Sequence, residues 1–214
     1  METLGEMLVI LLLLANLRLL ASSRLVACIQ TVAFQAVVLG AMTLTASAGH
    51  LGAAVIGLAL STVAVKGLLL PWLLRRAIRG AGVNREVEPF IGFTTSVLIG
   101  TALMGLCFVI ARPLQAALPA ATGLLLGGAM FTVLTGLFIV VSRRKALTQV
   151  LGYLTMENGV YVFGTSLAVE APLLVELGIL LDVFVAVFVM GIVIYQINRE
   201  FDHIDTDRLS VLKD

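Results

Sequence analysis

Apolar residues recur along the 214-residue chain in runs of about twenty, each closed by a short polar or turn-forming stretch. Seven such runs stand out: Leu4 to Leu20, Leu25 to Ala46, Leu51 to Leu74, Phe90 to Ala111, Ala120 to Val141, Leu147 to Ala168 and Pro172 to Ile197. A hydrocarbon core about 30 Å thick is crossed by about 20 residues of α-helix, so the pattern predicts an all-α membrane protein with seven transmembrane helices. The first run is the weakest, because Asn16 and Arg18 fall near its end.

Composition agrees with the pattern. The chain is 60% hydrophobic and 13% charged, with mean hydropathy +1.09, whereas a soluble domain carries about 25% charged residues. A water-facing exterior cannot be built from so few ionic groups. A net charge of +1 with no basic face removes nucleic acid as a partner. Cys28 and Cys107 lie inside apolar runs and are expected to act as small hydrophobes. Glu2 and Glu6 precede the first run where a secretory signal would carry Lys or Arg, so that run is expected to stay as a membrane helix.

The basic residues give a direction. With seven spans, Arg18, Arg24, Arg75, Arg76, Arg79, Arg85, Arg143, Arg144, Lys145, Arg199, Arg208 and Lys213 fall on one side of the membrane, and Arg112 on the other. Basic loops collect in the cytoplasm, which predicts an outside N-terminus and a cytoplasmic C-terminus. The longest internal polar stretch, Arg75 to Glu88, reads as a loop. The chain has no internal repeat, phosphate-binding loop, metal-ligand spacing or nucleophile–base pair; His50 and His203 sit at opposite faces. Gly123 and Gly127 form a small-residue pair that suits close helix approach. The tail from Asn198 to Asp214 is either solvated or a docking segment, with Ile204, Leu209, Val211 and Leu212 as apolar contacts.

Four ionisable residues remain within spans: Lys66, Glu157, Glu176 and Asp182. A carboxylate at the bilayer centre costs at least about 2.5–3.5 kcal/mol, so such groups point to an ion or proton path. Glu157 and Asp182 each lie about ten residues, or about 15 Å, into their spans from opposite sides, which places both at the midplane. The turn Glu170-Ala171-Pro172 between them predicts a hairpin that brings the two carboxylates to one depth. The bland alternative is a protonated acid hydrogen-bonded in a helix bundle. Tyr153, Asn158 and Tyr161 flank Glu157, with Tyr153 one turn earlier on its face. Glu176 is a second relay point, an outer mouth, or a carboxylate reaching headgroup water. Lys66 either snorkels to the interface or stays inside and pairs with a carboxylate.

These residues also carry a resemblance. The stretch RRKALTQVLGYLTMENGVYVF, Arg143 to Phe163, resembles the second helix of the complex I subunit K family, with a basic pair ahead of a midmembrane glutamate, here Glu157. The run from Leu173 to Asp214 resembles that family's third helix and tail, with Asp182 at the second membrane carboxylate in place of glutamate. The MENG and VELGILLD strings resemble hydrogenase-4 component E, a subunit K-like membrane protein of group 4 nickel–iron hydrogenases such as formate hydrogenlyase. The resemblance implies a four-helix membrane region over residues 1–112 and a subunit K-like three-helix region with a cytoplasmic tail over 113–214. It implies a non-redox subunit of a proton- or ion-translocating hydrogenase, not itself catalytic, with Glu157 and Asp182 as relay carboxylates; Glu176 and Lys66 join them as secondary relay groups by their place within the spans. Cofactors are expected to be absent from this chain, with the nickel–iron centre and iron–sulfur clusters in partner subunits. The partners implied are antiporter-like membrane subunits, a membrane subunit of the complex I H type, and peripheral hydrogenase subunits. Rival readings are the smaller C-type subunit of a multisubunit cation/proton antiporter, a structural assembly subunit and, least favoured, an independent secondary transporter.

Overall fold

The computed structural model describes residues 2–46, 52–81, 89–117 and 122–166, together with residue 191. The seventh predicted span, its carboxylates Glu176 and Asp182, and the tail lie outside the described residues. The described chain is helical throughout: α1 (Glu2–Ala21), α2 (Leu25–Ala46), α3 (Ala53–Thr62), a π-helical segment (Val63–Leu69), α4 (Leu70–Ala81), α5 (Phe93–Ala117), α6 (Gly123–Ser142) and α7 (Ala146–Ser166). The segments α3, π and α4 follow one another directly as a single rod.

Among the described residues five stretches are long and apolar enough to cross a membrane: Thr3–Ala21, Leu25–Thr45, Val55–Arg79, Phe93–Ala116 and Gly123–Ser142. The seven-span expectation is met at these five. Helix α7, at the sixth predicted span, is long enough but falls below the same apolarity, because Thr148, Gln149, Tyr153, Thr155, Glu157 and Asn158 interrupt it. Much of that polarity is turned inward: Thr148, Thr155, Glu157 and Asn158 are all buried.

The third rod also runs further than its apolar run. Helix α4 continues to Ala81 because its residues take up a 3.6-residue period, with Leu70, Leu74, Ala77 and Ile78 buried and Trp72, Arg75, Arg76 and Arg79 exposed. The predicted loop therefore starts later than Arg75. Helix α5 likewise continues past Pro113. Helix α6 starts at Thr122, whose hydroxyl accepts a hydrogen bond from Leu125 N at 3.3 Å.

Helices α6 and α7 form the most intimate pair, and glycine makes it possible. A Cβ on Gly152 would stand 2.8 Å from Gly136 O and 2.9 Å from Val140 N, and one on Gly159 would stand 2.5 Å from Val133 N. Gly152 and Gly159 are seven residues apart, hence on one face of α7. Gly123 and Gly127, singled out in the sequence, face α5 instead, where Gln115 and Phe108 fill the space a side chain would need. Contacts also join α1 with α6 and α2 with α7, across the predicted boundary near residue 112.

At the turn between α6 and α7, Arg143 is almost completely buried. Its guanidinium donates to Leu20 O at 3.1 Å, to Ile91 O at 3.0 Å and to Ser96 Oγ at 3.3 Å. It also covers the Phe93 ring at 4.5 Å. The carbonyl of Leu20 belongs to the last turn of α1, where a cation complements both the orphan acceptor and the helix dipole. One side chain thus fastens the end of α1 and the start of α5 to the α6–α7 turn.

Candidate functional site

Among the described residues the core is built mainly from two apolar clusters, with a small third at Ala111 and Leu126. One contains Leu19, Leu20, Ile29, Leu74, Ile139 and Leu151; the other contains Leu12, Leu13, Leu39, Cys107, Phe131 and Val162. Between them, on three of the contributing helices, lies an amide side chain. Asn16 stands between Leu13 and Leu19 on α1, Gln35 between Ile29 and Leu39 on α2, and Asn158 between Leu151 and Val162 on α7. The site is a polar layer enclosed by two greasy ones.

Lys66 and Glu157 occupy this layer. The ammonium donates to Glu157 Oε1 at 2.7 Å, and the two side chains are 6% and 3% exposed. The sequence left two positions for Lys66; the structure excludes the snorkelling one and keeps it inside, paired with a carboxylate of its own chain. Tyr161, one turn beyond Glu157, presents its ring 5.8 Å from the ammonium, and its hydroxyl shares a 2.7 Å hydrogen bond with Thr43 Oγ1. Of the three residues that flank Glu157 in sequence, Tyr153 packs against the first apolar cluster.

The π-helical segment sets where Lys66 points. Leu70 N bonds to Val65 O, five residues back. Pro71 has no amide hydrogen to offer Gly67 O, which weakens the i→i−4 register here. A Cβ on Gly67 would meet Ala36 Cβ at 3.7 Å and Ala33 O at 3.8 Å, ordinary contact distances, so the widened turn lies against α2. Such π insertions recur at functional sites because they re-aim one side chain without ending the helix.

A directed chain of hydrogen bonds runs from the neighbour of Glu157 across the bundle. Asn158 Nδ2 donates to Gln35 Oε1 at 3.2 Å, Gln35 Nε2 to Asn16 Oδ1 at 2.8 Å, Asn16 Nδ2 to Thr132 Oγ1 at 2.8 Å, and Thr132 Oγ1 to Gly128 O at 2.7 Å. It links α7, α2, α1 and α6, and every side chain in it is buried. In the sequence Asn158 stands out beside Glu157 and Asn16 falls near the end of its run, while Gln35 and Thr132 carry no formal charge to mark them; the signal they share is an uncharged hydrogen-bonding side chain at an inward position of an apolar run. Among the described residues no group of three or more His, Cys, Asp or Glu could hold a metal ion.

A helical bundle apolar outside, with an ion pair and an amide chain enclosed at one level, is the construction of a membrane protein. Residues 124–214 match the family NADH-ubiquinone/plastoquinone oxidoreductase chain 4L, which is the complex I subunit K type. The chain is 36% identical to hydrogenase-4 component E of Escherichia coli K12 over 155 residues, 72% of this chain and 71% of that protein. It is 33% identical to an uncharacterized protein of Mycobacterium tuberculosis over 204 residues, 95% of this chain and 93% of that one. Component E of Shigella flexneri is also 36% identical over 155 residues, covering 72% of this chain and 71% of its own. No solved structure matches. The chain belongs to the hydrogenase-4 component E family.

Proposed function

We propose that this protein is a non-redox membrane subunit of a nickel–iron hydrogenase complex and carries part of its proton or ion path. The observation that carries the reading is the Lys66–Glu157 pair, 2.7 Å long and closed off from lipid. An ammonium beside a carboxylate is a charge-compensated store: a proton or cation arriving nearby alters the balance between the two, and the altered field acts on the next titratable group. Asp182 and Glu176 on the last predicted span are the next groups in this reading, and they continue the path toward a neighbouring subunit. Hydrogen chemistry belongs to partner subunits that hold the nickel–iron centre and the iron–sulfur clusters. Antiporter-like membrane subunits and a membrane subunit of the complex I H type flank this chain in the same reading. The seven-span topology, with the C-terminus in the cytoplasm and residues 113–214 as the subunit K-like region, completes it.

The test is Glu157→Gln in the assembled complex, in membrane vesicles. Proton or sodium uptake coupled to hydrogenase turnover should fall at least tenfold while uncoupled hydrogenase activity stays. Uptake at the wild-type rate would overturn the relay. Loss of the complex from the membrane in the charge-balanced Lys66→Met/Glu157→Gln double variant as well would favour the assembly role instead.

A further inference from the structure

The outer face of the third rod carries a groove unrelated to the ion pair. It is lined by Gly67, Leu68, Leu69, Trp72, Arg75 and Arg79, with no acidic side chain among its lining residues. Leu68, Leu69 and Trp72 are all exposed, at 69%, 46% and 54%. The groove is graded along the helix. Gly67 and Leu68 sit beside Lys66, at the level of the buried pair. Arg75 and Arg79 lie nine and thirteen residues further on, which at 1.5 Å per residue is about 14 and 20 Å. Half of a hydrocarbon core is about 15 Å, so the leucines lie at acyl-chain depth, the arginines at headgroup depth, and Trp72 in the zone that aromatic side chains favour. Arg75 and Arg79 are four residues apart and present their guanidiniums on one side, while Arg76 stacks over Trp72 at 6.0 Å.

From this profile we propose that the groove binds an anionic glycerophospholipid, with its phosphate between Arg75 and Arg79 and an acyl chain along Leu68 and Leu69. The guanidinium forks match phosphate oxygens, and the charge is matched by sign at the depth where a lipid phosphate sits. A protein partner would need its own acidic group placed at that depth above an apolar stripe; a lipid supplies both by its construction.

Trp72 is the single tryptophan of the chain, so it reports the groove directly. The full-length protein is reconstituted in phosphatidylcholine bilayers, and Trp72 fluorescence is quenched with brominated phosphatidylglycerol or brominated phosphatidylcholine. At about 1 kcal/mol per arginine, a preference for phosphatidylglycerol of about fivefold per arginine is expected. The Arg75→Gln/Arg79→Gln double variant should bring the preference to about one, and Arg112→Gln, an exposed position on α5 outside the groove, should leave it in place. Helical circular dichroism checks that the variants are folded. Equal quenching by the two lipids in the unaltered protein, or a preference that survives the double variant, would overturn the proposal. So would a Trp72 that brominated lipid no longer quenches in the purified complex, since a partner subunit would then occupy the groove.

Discussion

Removing one member of the Lys66–Glu157 pair should cost more than removing both. At 2.7 Å and an effective dielectric of about 20, the attraction is about 6 kcal/mol. Taking each ion out of water costs several kcal/mol, so the intact pair contributes little net stability. A broken pair keeps the desolvation cost of the remaining ion and loses the attraction, a penalty of about 3–5 kcal/mol. Lys66→Met and Glu157→Gln should therefore each destabilise by about that much, and the double variant by less than either. Detergent-titrated unfolding of the purified protein, followed by helical circular dichroism, gives the double-mutant cycle. A coupling energy of at least about 2 kcal/mol is expected; additivity within about 0.5 kcal/mol would refute the pairing. The cycle also separates fold from function: the double variant should be stable again yet defective in ion uptake.

Two further substitutions probe the frame around the pair. Gly159→Ala places a methyl group 2.5 Å from Val133 N, so α6 and α7 must part, at about 1–3 kcal/mol; the same unfolding assay should show it, whereas Ala at Gly57, which has open space around it, should not. Arg143→Met leaves the buried carbonyl of Leu20 and the half-buried carbonyl of Ile91 without this donor, and at about 1–3 kcal/mol for the buried group the protein should lose at least about that much. Hydrogen exchange should then rise first at the end of α1 and the start of α5.

The helices were legible because membrane thickness sets run length directly, and the boundaries that moved did so for local reasons. Helix α4 outran its apolar run because interfacial arginines do not end a helix. Lys66 and Glu157 were legible as charges in apolar surroundings, but their union was not: they lie 91 residues apart, and only the packing of the third rod and α7 around α2 brings them together. The orientation of Lys66 depends on a π-helical turn, which no hydrophobic period reveals. Gly152 and Gly159, at seven-residue spacing, lacked the four-residue signature that drew attention to Gly123 and Gly127. Arg143 read as a loop cation because its carbonyl partners come from distant segments.

The backbone contact between α6 and α7 has a mechanical outcome. Sliding α7 along its neighbour by a single turn would drive a side chain into the notch that Gly152 or Gly159 now leaves open, so the two helices are keyed against axial travel. The depth of Glu157 in the lipid is consequently fixed by main chain rather than by flexible side chains. The carboxylate is thereby held as a stationary post, and the aim of its counter-ion is set separately, by the π turn.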